Sequence, residues 1–447
     1  MIEFNEGSLV SATSFVMADV MFSGNKASVG RDVYFVCGSL VAFVKEPLFG
    51  FMRNITQKDN SIVGHDRTDA FGDWDVDLFI FIDGYKADLV YVDGTSGVEE
   101  KYCGPEKAPC LNVNYGMEHL KRTQNVKEEI VVCSNSSVMG CVDVSGVTMK
   151  SNNANSVDVE CKKEITGCEI CVLKSTTATN INCIEFAIPT RFEKTVICVI
   201  EFLGNALSIT NCSLKKSSIY QMPPISEKNT DSSEYEFGFL SIEKGTLKME
   251  KFETKGEFEF GEFSLIELGD NLESAVFVSC IIKRITKNNG EGGWIKGHLG
   301  SDIQSMDASI VIEGCIAEKC FSFDIDKNGG KGGGLYVELN EKCDLIINET
   351  SKFRGCVAGC KNTEDENTKG AGGGIMIMMN SMESSFSINS NEIFSSEMPN
   401  RACHGKNIFV FAYDLPSIIN GSSIGFDPEL GVFAADFNEL SGVESEM

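Results

Sequence analysis

The chain has 447 residues, 42% of them hydrophobic, which is ample for a packed core and excludes wholesale disorder. Its formal net charge of −26 argues against nucleic-acid and anionic-membrane partners and favours basic or divalent-cation-bridged ones. No apolar run reaches the 18 residues of a membrane span, so no membrane insertion is expected within this chain.

In chain order, residues 1–6 lack the basic region and apolar core of a secretory signal. Val33 to Val44 reads as strands interrupted by Gly38 and Ser39. The surrounding segment returns near the other end. Ala27, Gly30, Arg31, Asp32, Val33 to Val36, Leu40, Gly50 and Phe51 match Ala402, Gly405, Lys406, Asn407, Ile408 to Phe411, Leu415, Gly425 and Phe426, at a constant offset of 375. Residues 1–60 therefore read as the terminal coil or cap of a preceding copy, and the chain is expected to begin inside a larger array. Residues 61–87 read as a linker, in which the alternation of Trp74, Val76, Leu78 and Ile80 marks an edge strand. Asp88 to Gly94, followed by Cys103-Gly104 and Pro109 to Val113, starts the main body at 88–430. Residues 431–447 form an acidic C-terminal tail.

Within the body a shorter period appears. Gly292-Gly293-Trp294, Gly333-Gly334-Leu335 and Gly373-Gly374-Ile375 lie 41 and then 40 residues apart. Gly314, Cys315, Ala317 and Cys320 return as Gly355, Cys356, Ala358 and Cys360. A period of this size marks stacked repeats that bury their apolar faces against each other. One unit holds three short apolar runs, Leu335 to Leu339, Cys343 to Asn348 and Lys352 to Val357, too short for helices and bounded by turn residues. The spacing predicts an all-β, right-handed parallel β-helix with short terminal caps and about nine or ten coils. In that register Cys315 stacks on Cys356 and Cys320 on Cys360, about 4.8 Å apart, which permits disulfides without requiring them. Polar excursions at Phe323 to Lys331 and Lys361 to Lys369 emerge at one corner.

Gly332-Gly333-Gly334-Leu335-Tyr336 and Gly372-Gly373-Gly374-Ile375-Met376, with Phe353-Arg354-Gly355-Cys356 and Phe22-Ser23-Gly24-Asn25, resemble the GGxI and FxxN repeats of polymorphic outer-membrane protein type, within the pectin-lyase-like superfamily. The opening Val90-Tyr91-Val92 with Cys103-Gly104 and Pro109-Cys110, and the closing Gly405 to Val410, are similar to large surface β-helix proteins of protists. The resemblance implies adhesion or surface display.

Pectin-lyase-like folds also host polysaccharide lyases and hydrolases, which use clustered carboxylates with a basic residue on one outer face. The nearest echoes are Asp324-Ile325-Asp326 and Ile295-Lys296-Gly297-His298, and neither forms a recurring carboxylate pair. His65, His119, His298 and His404 share no ligand spacing and read as turn or surface residues. Cys168-Glu169-Ile170-Cys171 is a lone CxxC; zinc would need Cys161 and Cys183 at loose spacing, so core or disulfide cysteines are the expectation. Asn328 to Gly334 lacks the Lys-Ser/Thr of a phosphate loop and precedes a strand-like run. No catalytic, cofactor or metal residue is therefore assigned. Eighteen cysteines and the sequons at Asn54, Asn135, Asn211, Asn348 and Asn420 tilt towards an extracellular or cell-surface setting. The expected function is non-catalytic adhesion or display, with a protein or carbohydrate ligand on the stacked excursions. A polysaccharide-active enzyme is the alternative.

Overall fold

In the computed structural model the chain forms two compact units, Met1–Glu128 and Glu129–Met447. The described residues are 2–3, 17–18, 26, 32–37, 52–53, 62–66, 74–77, 89–99, 103–106, 108–123, 129–138, 142–152, 157–161, 171–188, 198–216, 238–261, 263–288, 290–300, 307–324, 330–348, 350–360, 370–388, 394, 397–412 and 432–436. Among them the all-β expectation holds: strands pair in parallel almost throughout, and Val113–Thr123 is the one helix. No helix among them is long and apolar enough to cross a membrane.

In the first unit Ile2–Glu3, Val33–Cys37 and Ile62–Asp66 pair in parallel, and Trp74–Asp77 adds antiparallel at the edge, as its alternation suggests. The pairing repeats with the sequence. Ile2 lies opposite Phe35 and Ile377 opposite Val410, both 33 residues apart, and the two pairs are themselves 375 apart. Past Val90–Val92, a disulfide joins Cys103 to Cys110. The helix after it was not legible in the run Pro109 to Val113. Asn112 caps it, its Oδ1 accepting the Tyr115 N–H at 3.1 Å, and Val113, Met117 and Leu120 line one buried face.

The second unit is built from four columns of parallel strands. The first runs through Cys171–Ser175, Cys198–Phe202, the leading half of Gly238–Glu250, Ile266–Val278, Ile295–Leu299, Leu335–Leu339, Ile375–Met379, Ile408–Ala412 and Val432–Asp436. The second includes Ala206–Thr210, Ala308–Glu313, Cys343–Ile347 and Ser385–Ile388. The third carries Ile184–Ile188, Ser213–Lys216, Glu253–Lys255, Ile281–Lys283, Ile316–Glu318 and Lys352–Arg354. The fourth holds Phe258–Phe260, Ile285–Lys287, Phe321–Asp324 and Val357–Cys360. Side chains alternate across each strand, so Ile295, Gly297 and Leu299 face the core while Lys296 and His298 face out.

Single residues with positive φ turn the chain between columns. Asn211, Lys251, Ser279 and Gly314 do so between the second and third, and Arg284, Lys319 and Gly355 between the third and fourth. Before the first column the residues are all glycine: Gly292, Gly332, Gly372 and Gly405, with φ of 64, 62, 68 and 57°. The requirement there is steric as well as conformational. A Cβ on Gly332 would lie 2.1 Å from the Leu335 carbonyl oxygen.

These pairings correct the sequence register twice. The Trp294 N–H donates to the Gly334 carbonyl at 2.9 Å, and the Gly334 N–H to that of Gly374 at 3.0 Å. Trp294 therefore stands where the next repeats have Gly334 and Gly374, one place from the sequence match. The cause is a compensating exchange of volume. A Cβ on Gly334 would come 2.9 Å from the ring of Phe353, whereas one repeat earlier Phe353 is replaced by its neighbour Ala317. The Trp294 ring fills the space released, 5.7 Å from Phe277 and 6.1 Å from Phe353.

The cysteine pairing is corrected too. Ile316 lies opposite Lys352 and Phe321 opposite Val357, a step of 36 where the first column steps by 40. Cys315 therefore sits beside Ser351, whose Oγ accepts its N–H at 3.3 Å, and Cys320 sits beside Cys356. The thiol next to Cys315 is Cys280, whose N–H donates to the Cys315 Sγ at 3.4 Å. All four are buried free thiols. Connections of unequal length between columns make a single offset fail.

Candidate functional site

The outward face of the first column changes character along its length. Lys296 and His298 lead, then Tyr336 and Glu338, then Met376 and Met378, then Phe409 and Phe411, each pair beside the next in register. Tyr336, Met376, Phe409 and Phe411 are buried as one cluster. The polar end opens into a groove of about 440 Å³ whose walls include Glu243, Glu267, Asp270, Lys296, His298 and Glu338.

A chain of charge contacts crosses this face. Glu291 accepts Lys296 through Oε2 and Lys331 through Oε1, both at 3.1 Å. The Lys331 Nζ also lies 5.8 Å from the centre of the Tyr336 ring, within cation–π range. The Tyr336 hydroxyl donates to Glu338 Oε1, and Glu338 Oε2 faces His298 Nδ1 at 3.0 Å. Burial would raise the Glu291 pKa, but Lys331 and Lys296 outweigh it and hold the carboxyl below its ordinary range. Glu338 is also lowered, first by its hydrogen bond to His298 and then by that from Tyr336, against burial. The Tyr336 phenol is raised by burial, by Glu291 and by its bond to Glu338.

Glycoside hydrolysis needs one carboxyl held protonated near neutral pH beside an ionised one, and both networked carboxyls here are lowered. Tyr336 is fully buried and does not reach the groove as an acid. Among the described residues no cluster of His, Cys, Asp and Glu could hold a metal ion.

Of the sequence candidates, Lys296 and His298 are brought to the groove. Asp324 ends a strand of the fourth column, while Asp326, the excursion Lys361 to Lys369 and most of the excursion Phe323 to Lys331 lie outside the described residues. Cys168 lies outside them too. Lys331 precedes a strand, as expected, and binds Glu291. His404 is exposed, but His119 is buried on the helix, against the expectation of a surface or turn residue. Glu291, Tyr336 and Glu338 were missed. Tyr336 and Glu338 carried a signal, standing 40 residues after Lys296 and His298 at the same alternating positions.

No protein-family model, curated protein or solved structure matches this chain.

Proposed function

We propose that the repeating part of this chain is a right-handed parallel β-helix, akin to the pectin-lyase-like surface repeats it resembles, serving as a non-catalytic module for adhesion or ligand display. The four columns and their stacked positive-φ bends support the architecture. One observation carries the function: the two basic side chains of the groove are already engaged, Lys296 by Glu291 at 3.1 Å and His298 by Glu338 at 3.0 Å, among polar walls that include Glu243, Glu267 and Asp270. Such groups hold a polar ligand by hydrogen bonds without exchanging protons with it. The Cys103–Cys110 disulfide and the exposed sequon residues Asn135 and Asn211 support a cell-surface setting.

The second reading is a polysaccharide lyase in which Glu338 orients His298 as the base, favoured by their 3.0 Å contact. Glycan-array binding and formation of unsaturated product are measured on wild type and on His298→Ala. The binding reading expects a glycan or protein ligand lost in the variant, with no product from either. Product formed by wild type and abolished in the variant establishes the lyase.

A further inference from the structure

The register gathers cations that the sequence scatters. On the outward face of the third column Lys215, Lys255, Lys283, Glu318 and Arg354 succeed one another. One residue further on, at the bend, the succession is Lys216, Gly256, Arg284, Lys319 and Gly355. Neighbouring strands lie about 4.8 Å apart, so the two rows form a strip with a cation on nearly every rung. Its carboxylates are mostly engaged: buried Glu185 takes Lys215 at 2.7 Å and also Lys255, Glu318 takes Arg354 at 2.7 Å, and exposed Glu257 takes Arg284 at 3.3 Å. The ammonium groups of Lys283, Lys319 and Lys352 have no carboxylate partner among the described residues. Beside the bend a second groove, of about 360 Å³, is lined by Lys216, Arg284 and Lys319 and by Glu257 and Glu259, which are engaged by Arg284 and by the Asn288 amide, together with Phe258, Thr286 and Phe321.

We propose that this strip is a binding site for a linear sulfated glycan. A strip rich in cations, with Lys283, Lys319 and Lys352 left without a carboxylate partner among the described residues, stands out on a chain of net charge −26 and marks where a polyanion is tolerated. Single-stranded nucleic acid requires exposed aromatic platforms, and the one exposed large hydrophobic residue among those described is Met382. An extended acidic peptide repeats its same-face carboxylates about every 6.6 Å and falls out of step with the rungs. Sulfates along a glycan stay ionised, and each offers several acceptors to paired cations such as Lys283 and Arg284. The site stands apart from the groove of the first column and does not depend on the reading given to it.

Titration calorimetry of the full chain with heparin tests this, with polygalacturonate, oligodeoxythymidine and phosphatidylserine vesicles as competitors of other chemistry. Heparin binding is expected to weaken as salt rises and to fall at least about tenfold in Lys283→Glu/Lys319→Glu. Lys244→Glu/Lys248→Glu, with the same change in net charge, retains it, as does His298→Ala. No heparin binding, equal loss in both double variants, or equal affinity for any competitor overturns the proposal.

Discussion

Two glycines with the same backbone angle are expected to tolerate alanine very differently. Gly332 has φ 62° and Gly355 has φ 63°, so an L-residue at either carries the left-handed penalty of about 1–2 kcal/mol. Part of that is offset, by about 0.4–1 kcal/mol, because alanine restricts the unfolded chain. At Gly355 nothing more is added: a Cβ meets Lys319 Cγ at 3.6 Å and Met398 Cβ at 3.7 Å, ordinary contacts. Arg284 and Lys319 already occupy that bend with full side chains. At Gly332 the Cβ would stand 2.1 Å from the Leu335 carbonyl oxygen, and a strand paired on both sides must shift. Overpacking of that kind costs about 1–3 kcal/mol more. Gly355→Ala is thus expected to lose about 1 kcal/mol and Gly332→Ala about 2–4 kcal/mol. Denaturant unfolding followed by circular dichroism, with hydrogen exchange at Leu335 to Leu339 as a local probe, measures both. Losses equal within about 0.5 kcal/mol would refute the steric argument and leave backbone strain as the whole effect.

The Trp294 indole N–H is buried without a partner among the described residues, so Trp294→Phe is expected within about 1 kcal/mol of wild type, while Trp294→Ala loses about 3–5 kcal/mol by calorimetry. The folded-state pKa of Glu338 lies below its unfolded value of 4.5, so its contribution is present above that pH and is lost as pH falls through the folded value. Glu338→Gln should therefore flatten the acid side of the stability–pH profile, and an unchanged profile counts against the His298 contact. Burial is the main cause pushing the Cys212 thiol up to about 12, so native alkylation at pH 8 should modify exposed Cys403 and spare Cys212, Cys280 and Cys320 until unfolding. Under strong oxidation, peptide mapping should find Cys280 joined to Cys315 and Cys320 to Cys356; a Cys315–Cys356 link would refute the register.

Strand content and the glycine bends were legible in the sequence because each is a local property, and parallel pairing because the repeat period implies stacked units. Alternation buries Leu335, Val337 and Leu339 whatever lies beside them, and Gly332 is demanded by its own φ and by a carbonyl three residues away. The 375-residue repetition was legible for the same reason, since similar segments make the same pairing at the same interval. Register was not local. Trp294 takes the place of a glycine only because Ala317 stands where the next repeat has Phe353, an exchange visible only across the core. The same limit hid both candidate surfaces. Glu338 reaches His298, and Lys331 reaches Glu291, through a step of 40 residues, while Lys283 lies beside Glu318 in register through a step of 35. Net charge is a sum over the chain and fixed the acidic character from composition alone. Where each charge stands depends on which strands neighbour one another, and only the tertiary pairing placed the cations in one row.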